Sequence, residues 1–168
     1  MNDWSIRQAT PEDVEGIAAA HLDSIQSLGS QHYPPHIVDE WGAAIAGEIY
    51  IQAMKRGEAF FVATRDSQIL GFSTHNRVGD QHRTAVYVRG SVSRRGVGSA
   101  LFRVAEARAI AANAHSIRVD ASLAAVDFYR AQGFVHKGRG EHVLQSGARM
   151  DCVFMRKPLF LGGRISVE

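Results

Sequence analysis

An α/β fold, in which a sheet is packed by helices, follows from the way two hydrophobic periods succeed each other along the chain. Strand-like runs at 59–64 and 69–74 are immediate neighbours, whereas the later runs are separated by helical patterns. At 168 residues the chain is long enough to bury a substantial core. Its 45% hydrophobic and 21% charged residues are ordinary for a globular protein.

The elements follow in order. Residues 4–9 alternate as a first strand, and Thr10-Pro11-Glu12-Asp13 reads as a helix start, with Thr10 as cap, Pro11 in the first turn and acids beside it. Val14, Ile17, Ala18, Ile25 and Leu28 give that helix an apolar face, and Gly29-Ser30-Gln31 ends it. Tyr33-Pro34-Pro35 opens a second short helix carrying Ile37, Val38, Trp41 and Ile45, and a third helical piece covers 48–54. The strands at 59–64 and 69–74 flank the turn Asp66-Ser67-Gln68. A strand at 82–88, a helix at 98–112, a strand at 117–121 and a helix at 123–131 come next, and strands at 134–137 and 150–155 complete the sheet. Residues 161–168, with Gly162-Gly163, read as a loose tail, which leaves 1–160 as a single expected domain.

Composition narrows the partners. The net charge is +2 and the basic residues are dispersed, so neither nucleic acid nor an anionic membrane is required. Cys152 is the sole cysteine, which rules out an internal disulfide, and its apolar strand marks it as a buried structural thiol. No run approaches the ~20 apolar residues of a membrane span. The first residues lack a basic stretch followed by an apolar one, so a cytoplasmic location is expected.

The strand at 82–88 leads directly into Ser93-Arg94-Arg95-Gly96-Val97-Gly98-Ser99 at the mouth of a helix. Amides at a helix start have no intrahelical acceptor, and the helix dipole adds positive potential there, so such a turn suits a phosphate. Gly96 and Gly98 put no Cβ between backbone and ligand, and Arg94 and Arg95 supply charge. The other reading is a plain helix start with solvated arginines. A second segment, Ser122-Leu123-Ala124-Ala125-Val126-Asp127-Phe128-Tyr129-Arg130-Ala131-Gln132-Gly133-Phe134, bears on the choice.

Together the two segments resemble the GCN5-related N-acetyltransferase (GNAT) superfamily. Its turn reads Gln/Arg-x-x-Gly-x-Gly/Ala, and its downstream block reads Asn-x-x-Ala-x-x-Phe-Tyr-x-x-x-Gly-Phe. Gly96, Gly98, Ala125, Phe128, Tyr129, Gly133 and Phe134 match, whereas Ser93 and Ser122 stand where Gln/Arg and Asn are usual. The resemblance implies a mixed, largely antiparallel sheet whose two central parallel strands splay apart to admit coenzyme A. It also implies acetyl-CoA as co-substrate, a primary amine on a small molecule or peptide as acceptor, and a homodimer as a common assembly. A coenzyme A binding or sensing domain without catalysis is the alternative.

The resemblance also assigns residues. The turn from Arg94 to Ser99, Val97 included, would hold the pyrophosphate, and the backbone of Val86 and Val88 would pair with the pantetheine arm. Phe128 would pack in the core or against the cofactor. Tyr129 would protonate the departing thiolate, a role open to a phenol with pKa near ~10. The family's base falls at or beside His82, in step with Thr84, Val86 and Val88 along the strand, and Asp80 is the nearest acid. His32, Tyr33 and His36 fall where the family builds its acceptor pocket. The i, i+4 spacing of His32 and His36 offers no third ligand, and Pro34 and Pro35 intervene, so no metal is expected.

Overall fold

The computed structural model describes residues 2–160, so the expected tail at 161–168 lies outside the described residues. Seven strands form one sheet in the order β1-β2-β3-β4-β5-β7-β6, where β1 is Ser5–Gln8, β2 Ala59–Arg65, β3 Gln68–Val78, β4 Gln81–Val88, β5 Ser116–Ser122, β6 Val135–Val143 and β7 Arg149–Pro158. Every neighbouring pair is antiparallel except β4 and β5, which run parallel. The helices are α1 (Val14–Ser27), α2 (Pro35–Ala43), α3 (Gly47–Lys55), α4 (Val97–Ala111) and α5 (Val126–Ala131). The expected fold class is therefore the observed one.

Strand alternation divides the core between the two faces of the sheet. Leu101, Phe102 and Ala109 of α4 pack with Val86, Ile117, Val119, Ala121, Tyr129 and Phe134 on one face. On the other, Val14, Ile17 and Ala18 of α1 and Tyr50 of α3 pack against Phe60, Val62 and Phe72. Farther along that second face, Tyr33 and Ile37, Val38 and Trp41 of α2 close over Leu144 and Met150. The outer part of this face, over β5, β7 and β6, has no helix on it among the described residues, and Arg118, Asp120, Phe154 and Arg156 are exposed there.

Several elements are longer or shorter than their apolar patterns suggest. The strand read as 69–74 continues to Val78, because polar Asn76 and Arg77 and the exposed Val78 pair with the polar start of β4 at Gln81–Arg83. The short strand at 134–137 continues to Val143 beside β7, with a register shift between His136 and Gly138. The helix expected from 123 begins at Val126, since Ala125 donates its amide to Ser122 in a turn and Leu123 donates its own to Tyr33. The helix expected from Thr10 opens instead as a 3-10 turn over Pro11–Asp13. Asp66 and Ser67, with φ of 49° and 66°, make the two-residue turn between β2 and β3, and their positive φ suits the twist of a tight hairpin.

Candidate active site

The parallel pairing of β4 and β5 consists of one register pair, Arg83 with Arg118. Beyond it the strands separate toward their C-terminal ends. The gap is a cleft of about 200 Å³ lined by Thr84 to Tyr87, Val119, Asp120, Ser122, Ala125 and Tyr129, with Trp41, His142, Met150 and Cys152 at its far wall. The amide of Arg89 donates to Leu70 of β3 at 2.8 Å. By alternation the amides of Val86 and Val88 point the other way, into the gap.

Tyr129 fixes one wall. α5 ends at Ala131, and Gly133 beyond it, with φ of 97°, turns the chain so that Phe134 donates back to the Tyr129 carbonyl at 3.0 Å. The phenol packs between Phe128 and Phe134, and its oxygen accepts the Val86 amide at 2.9 Å. The hydroxyl proton has no protein acceptor among the described residues. Burial first, and then the neighbouring Tyr87, hold this phenol well above the usual tyrosine range, so it stays a neutral donor.

The glycine turn sits at the same end of the gap. After β4, Gly90 donates its amide to Asp23 of α1 at 2.8 Å, and the Arg89 side chain donates to the Ile69 carbonyl at 2.8 Å. These bonds tie the turn to both α1 and β3. Gly96 takes φ of 86° as the residue preceding α4, with no side-chain cap and open space where a Cβ would stand. None of the amides from Arg94 to Ser99 donates to a protein acceptor among the described residues. A Cβ on Gly98 would come 3.2 Å from the Phe128 ring and 3.7 Å from Val88, so α4 meets α5 and β4 closely here. Ser99 accepts a 2.8 Å bond from Gln132, which joins the first turn of α4 to the end of α5. Unbonded amides, an uncapped helix start and a Cβ-free approach together suit a diphosphate.

The expected acid–base and acceptor residues fare unequally. His82 does not line the cleft. It is buried on the α4 face of β4, where it shares a 2.8 Å hydrogen bond with His75, and burial lowers its pKa. It is not among the residues that line the opening, where β4 contributes Arg83 to Tyr87. Asp80 is fully exposed and lies 3.9 Å from Arg77, so it does not take that place. Tyr33 is buried, and its hydroxyl is committed: it donates to the Asp151 carbonyl at 2.5 Å and accepts from Leu123 at 2.9 Å. It ties α2, β7 and the β5–α5 turn together. His32 and His36 are exposed and do not line the cleft. No group of three or more possible metal ligands exists among the described residues.

Asp120 and Tyr87, which carry no expected role, line the opening. Asp120 is the one carboxylate lining it, with Arg83 3.9 Å away. Tyr87 lies against His21 at 4.1 Å between centroids, and burial pushes its phenol up to about 12. His21 shares its Nδ1 with the Tyr50 hydroxyl at 2.7 Å while its Nε2 has no partner among the described residues, and burial drives its pKa down to about 3. Cys152 is buried and its thiol is raised by burial, which suits packing better than nucleophilic attack. The parity of β5, which turns Arg118, Asp120 and Ser122 to one face, was the signal for Asp120. It gains meaning only once β5 is known to border the gap.

Comparison with known proteins places this geometry. The family described as acetyltransferase (GNAT) domain matches residues 24–157. A GCN5-related N-acetyltransferase from Rhodopseudomonas palustris is 28% identical, with a TM-score of 0.83 over 95% of this chain and 98% of that one. PaiA N-acetyltransferase of Thermoplasma acidophilum, solved in complex with coenzyme A, shares the fold at 17% identity and a TM-score of 0.77, covering 95% of this chain and all of its own. A GNAT superfamily phosphinothricin acetyltransferase of Sinorhizobium meliloti, in complex with AcCoA, shares it at 18% and 0.68 over 94% and 89% of the two chains. No curated protein matches the sequence. No described helix is long and apolar enough to cross a membrane.

Proposed function

The chain belongs to the GNAT acetyltransferase family, and from that premise we propose that it moves an acetyl group from acetyl-CoA directly to a primary amine of a small molecule or peptide. The observation that carries this reading is the splay of β4 from β5 with a buried, neutral Tyr129 hydroxyl on its wall. When bound, acetyl-CoA supplies an activated acyl carbon on a thiol leaving group.

The chain's own groups do the rest. The amides of the turn 94–99, with Arg94 and Arg95, hold the diphosphate, and Gly96 lets it approach the backbone. Val86 spends its amide on Tyr129, so the amide of Val88 is the one left to pair with the pantetheine arm. Phe128 holds Gly98 and Val88 in place beneath that arm.

Attack forms the C–N bond as the thioester C–S bond breaks. The free O–H of Tyr129 gives its proton to the departing sulfur, and the Val86 amide stabilises the phenol oxygen as it does so. The proton lost by the amine goes to Asp120, directly or through one water. Asp120 takes the role first expected of His82, because it is the carboxylate that lines the opening. Cys152 carries no acyl group in this scheme.

Isothermal titration with acetyl-CoA, coenzyme A and ATP is the first test, followed by thiol release with a panel of amines. Binding of acetyl-CoA but not ATP, with amine-dependent thiol release, is the expected result. Binding without thiol release from any amine would favour a sensing domain. Asp120→Asn is expected to lower turnover about 100-fold at neutral pH with little change in coenzyme affinity, and unchanged turnover would remove Asp120 from the scheme.

A further inference from the structure

Three arginines stand side by side across three adjacent strands. Arg83 of β4 is in register with Arg118 of β5, and Arg118 is in register with Arg156 of β7. Like charges directly opposite on neighbouring strands are destabilising, so such a row costs stability unless an anion offsets it. The protein itself offsets little of it. Asp120 lies 3.9 Å from Arg83, while Arg118, Arg156 and the nearby Lys137 have no ion-pair partner among the described residues. All four cations line one cavity of about 450 Å³, with Phe154 as an apolar side, so four cations face one carboxylate.

This cavity continues the cleft between β4 and β5, with which it shares Arg83, Arg118 and Asp120. It lies on the face of the sheet away from α4. Val86 packs with Leu101 and Phe102 of α4, so Arg83, three residues earlier on the strand, points to the opposite side. The glycine turn is at the other end of β4, which leaves the arginine row clear of the coenzyme's diphosphate.

We propose that Arg83, Arg118, Arg156 and Lys137 form a subsite for an anionic group, carboxylate or phosphate, on the amine acceptor. This rests on the transferase reading above and specifies its substrate class. Guanidinium forks suit either anion, because each accepts two parallel N–H bonds. Asp120 lies two residues along β5 from Arg118 and Val86 lies three along β4 from Arg83. The anion and the amine are therefore separated by about 7–10 Å of strand. The cleft thus has a polarity: the cationic row draws the anion to one end, and Asp120 meets the ammonium nearer the acyl group. A polycationic amine would be repelled by the same row.

The test is titration of the coenzyme A-loaded protein, at fixed ionic strength, with ε-aminocaproate, aminohexyl phosphate and hexylamine. The anionic amines are expected to bind about tenfold tighter than hexylamine, the equivalent of one charge-assisted hydrogen bond. Whichever of the two binds tighter identifies the anion. The Arg118→Gln/Arg156→Gln variant should lose this preference, keep its coenzyme A affinity and melt no lower than the parent, since it removes a repulsion. Equal or tighter binding of hexylamine, or an anion preference that survives in the double variant, would overturn the proposal. So would binding of heparin to the row with no preference among the three amines, which would assign it to a macromolecular polyanion. The coenzyme A titration tests the transferase reading separately, and the anion preference is measured equally well on coenzyme-free protein, so the two failures are distinguishable.

Discussion

Tyr129→Phe separates what the phenol holds from what it donates. The substitution keeps the ring between Phe128 and Phe134 and removes only the oxygen that accepts the Val86 amide at 2.9 Å. That bond is buried, so the amide left without its acceptor costs about 1–3 kcal/mol. For a chain of this size each kcal/mol corresponds to a fall in Tm of about 2–4 °C. Domains hold roughly 5–15 kcal/mol of stability, so the variant stays folded. Loss of a positioned general acid is larger, typically 10²–10⁴-fold in rate or about 3–5 kcal/mol of barrier. The expected pattern is thus a drop in melting temperature, a coenzyme A affinity within about threefold of the parent, and a turnover lower by about 100-fold or more. Thiol release under saturating acetyl-CoA, with a melt and a titration on the same sample, reads all three. Because burial holds the phenol above its ordinary range, the parent should show no loss of this donor up to pH ~10. Turnover of Tyr129→Phe within about threefold of the parent would refute the assignment, since no general acid worth the name is lost so cheaply.

Other perturbations test the frame around that residue. Gly98→Glu should abolish coenzyme A binding in a titration: a Cβ there would stand 3.2 Å from the Phe128 ring, and the carboxylate would repel the diphosphate. Asp23→Ala removes the acceptor of the Gly90 amide and loosens the turn, so coenzyme A should bind about tenfold more weakly with little change in Tm. His21 has a folded pKa of about 3 against an ordinary 6.5, so the unfolded chain takes up its proton first. Its share of stability is present above pH 6.5 and is lost as the pH falls toward 3, at about 1.4 kcal/mol per pH unit. Urea titrations of His21→Gln at several pH values should show a slope shallower than the parent's by about that amount, and parallel slopes would count against a buried neutral imidazole.

The local elements and the glycine turn were legible in the order of residues alone. Gly96 and Gly98 had to mark a helix mouth free of Cβ atoms, because that property belongs to the residues and not to their neighbours. The matched Phe128-Tyr129 and Gly133-Phe134 likewise carried their helix and its end. Strand ends such as Asn76 to Val78 and Arg139 to Val143 were illegible, since they are mostly polar, expose their one valine, and are held by pairing with β4 and β7. The placement of chemistry across strands was equally out of reach. Whether His82 or Asp120 faces the opening depends on which strand neighbours β4 and on which side, and the single register pair between Arg83 and Arg118 decides it. The bonds of the Tyr33 hydroxyl to Asp151 and Leu123, both distant in sequence, were likewise beyond any local pattern. The row of Arg83, Arg118 and Arg156 exists only through that same register, because strand order brings together residues that no local period connects.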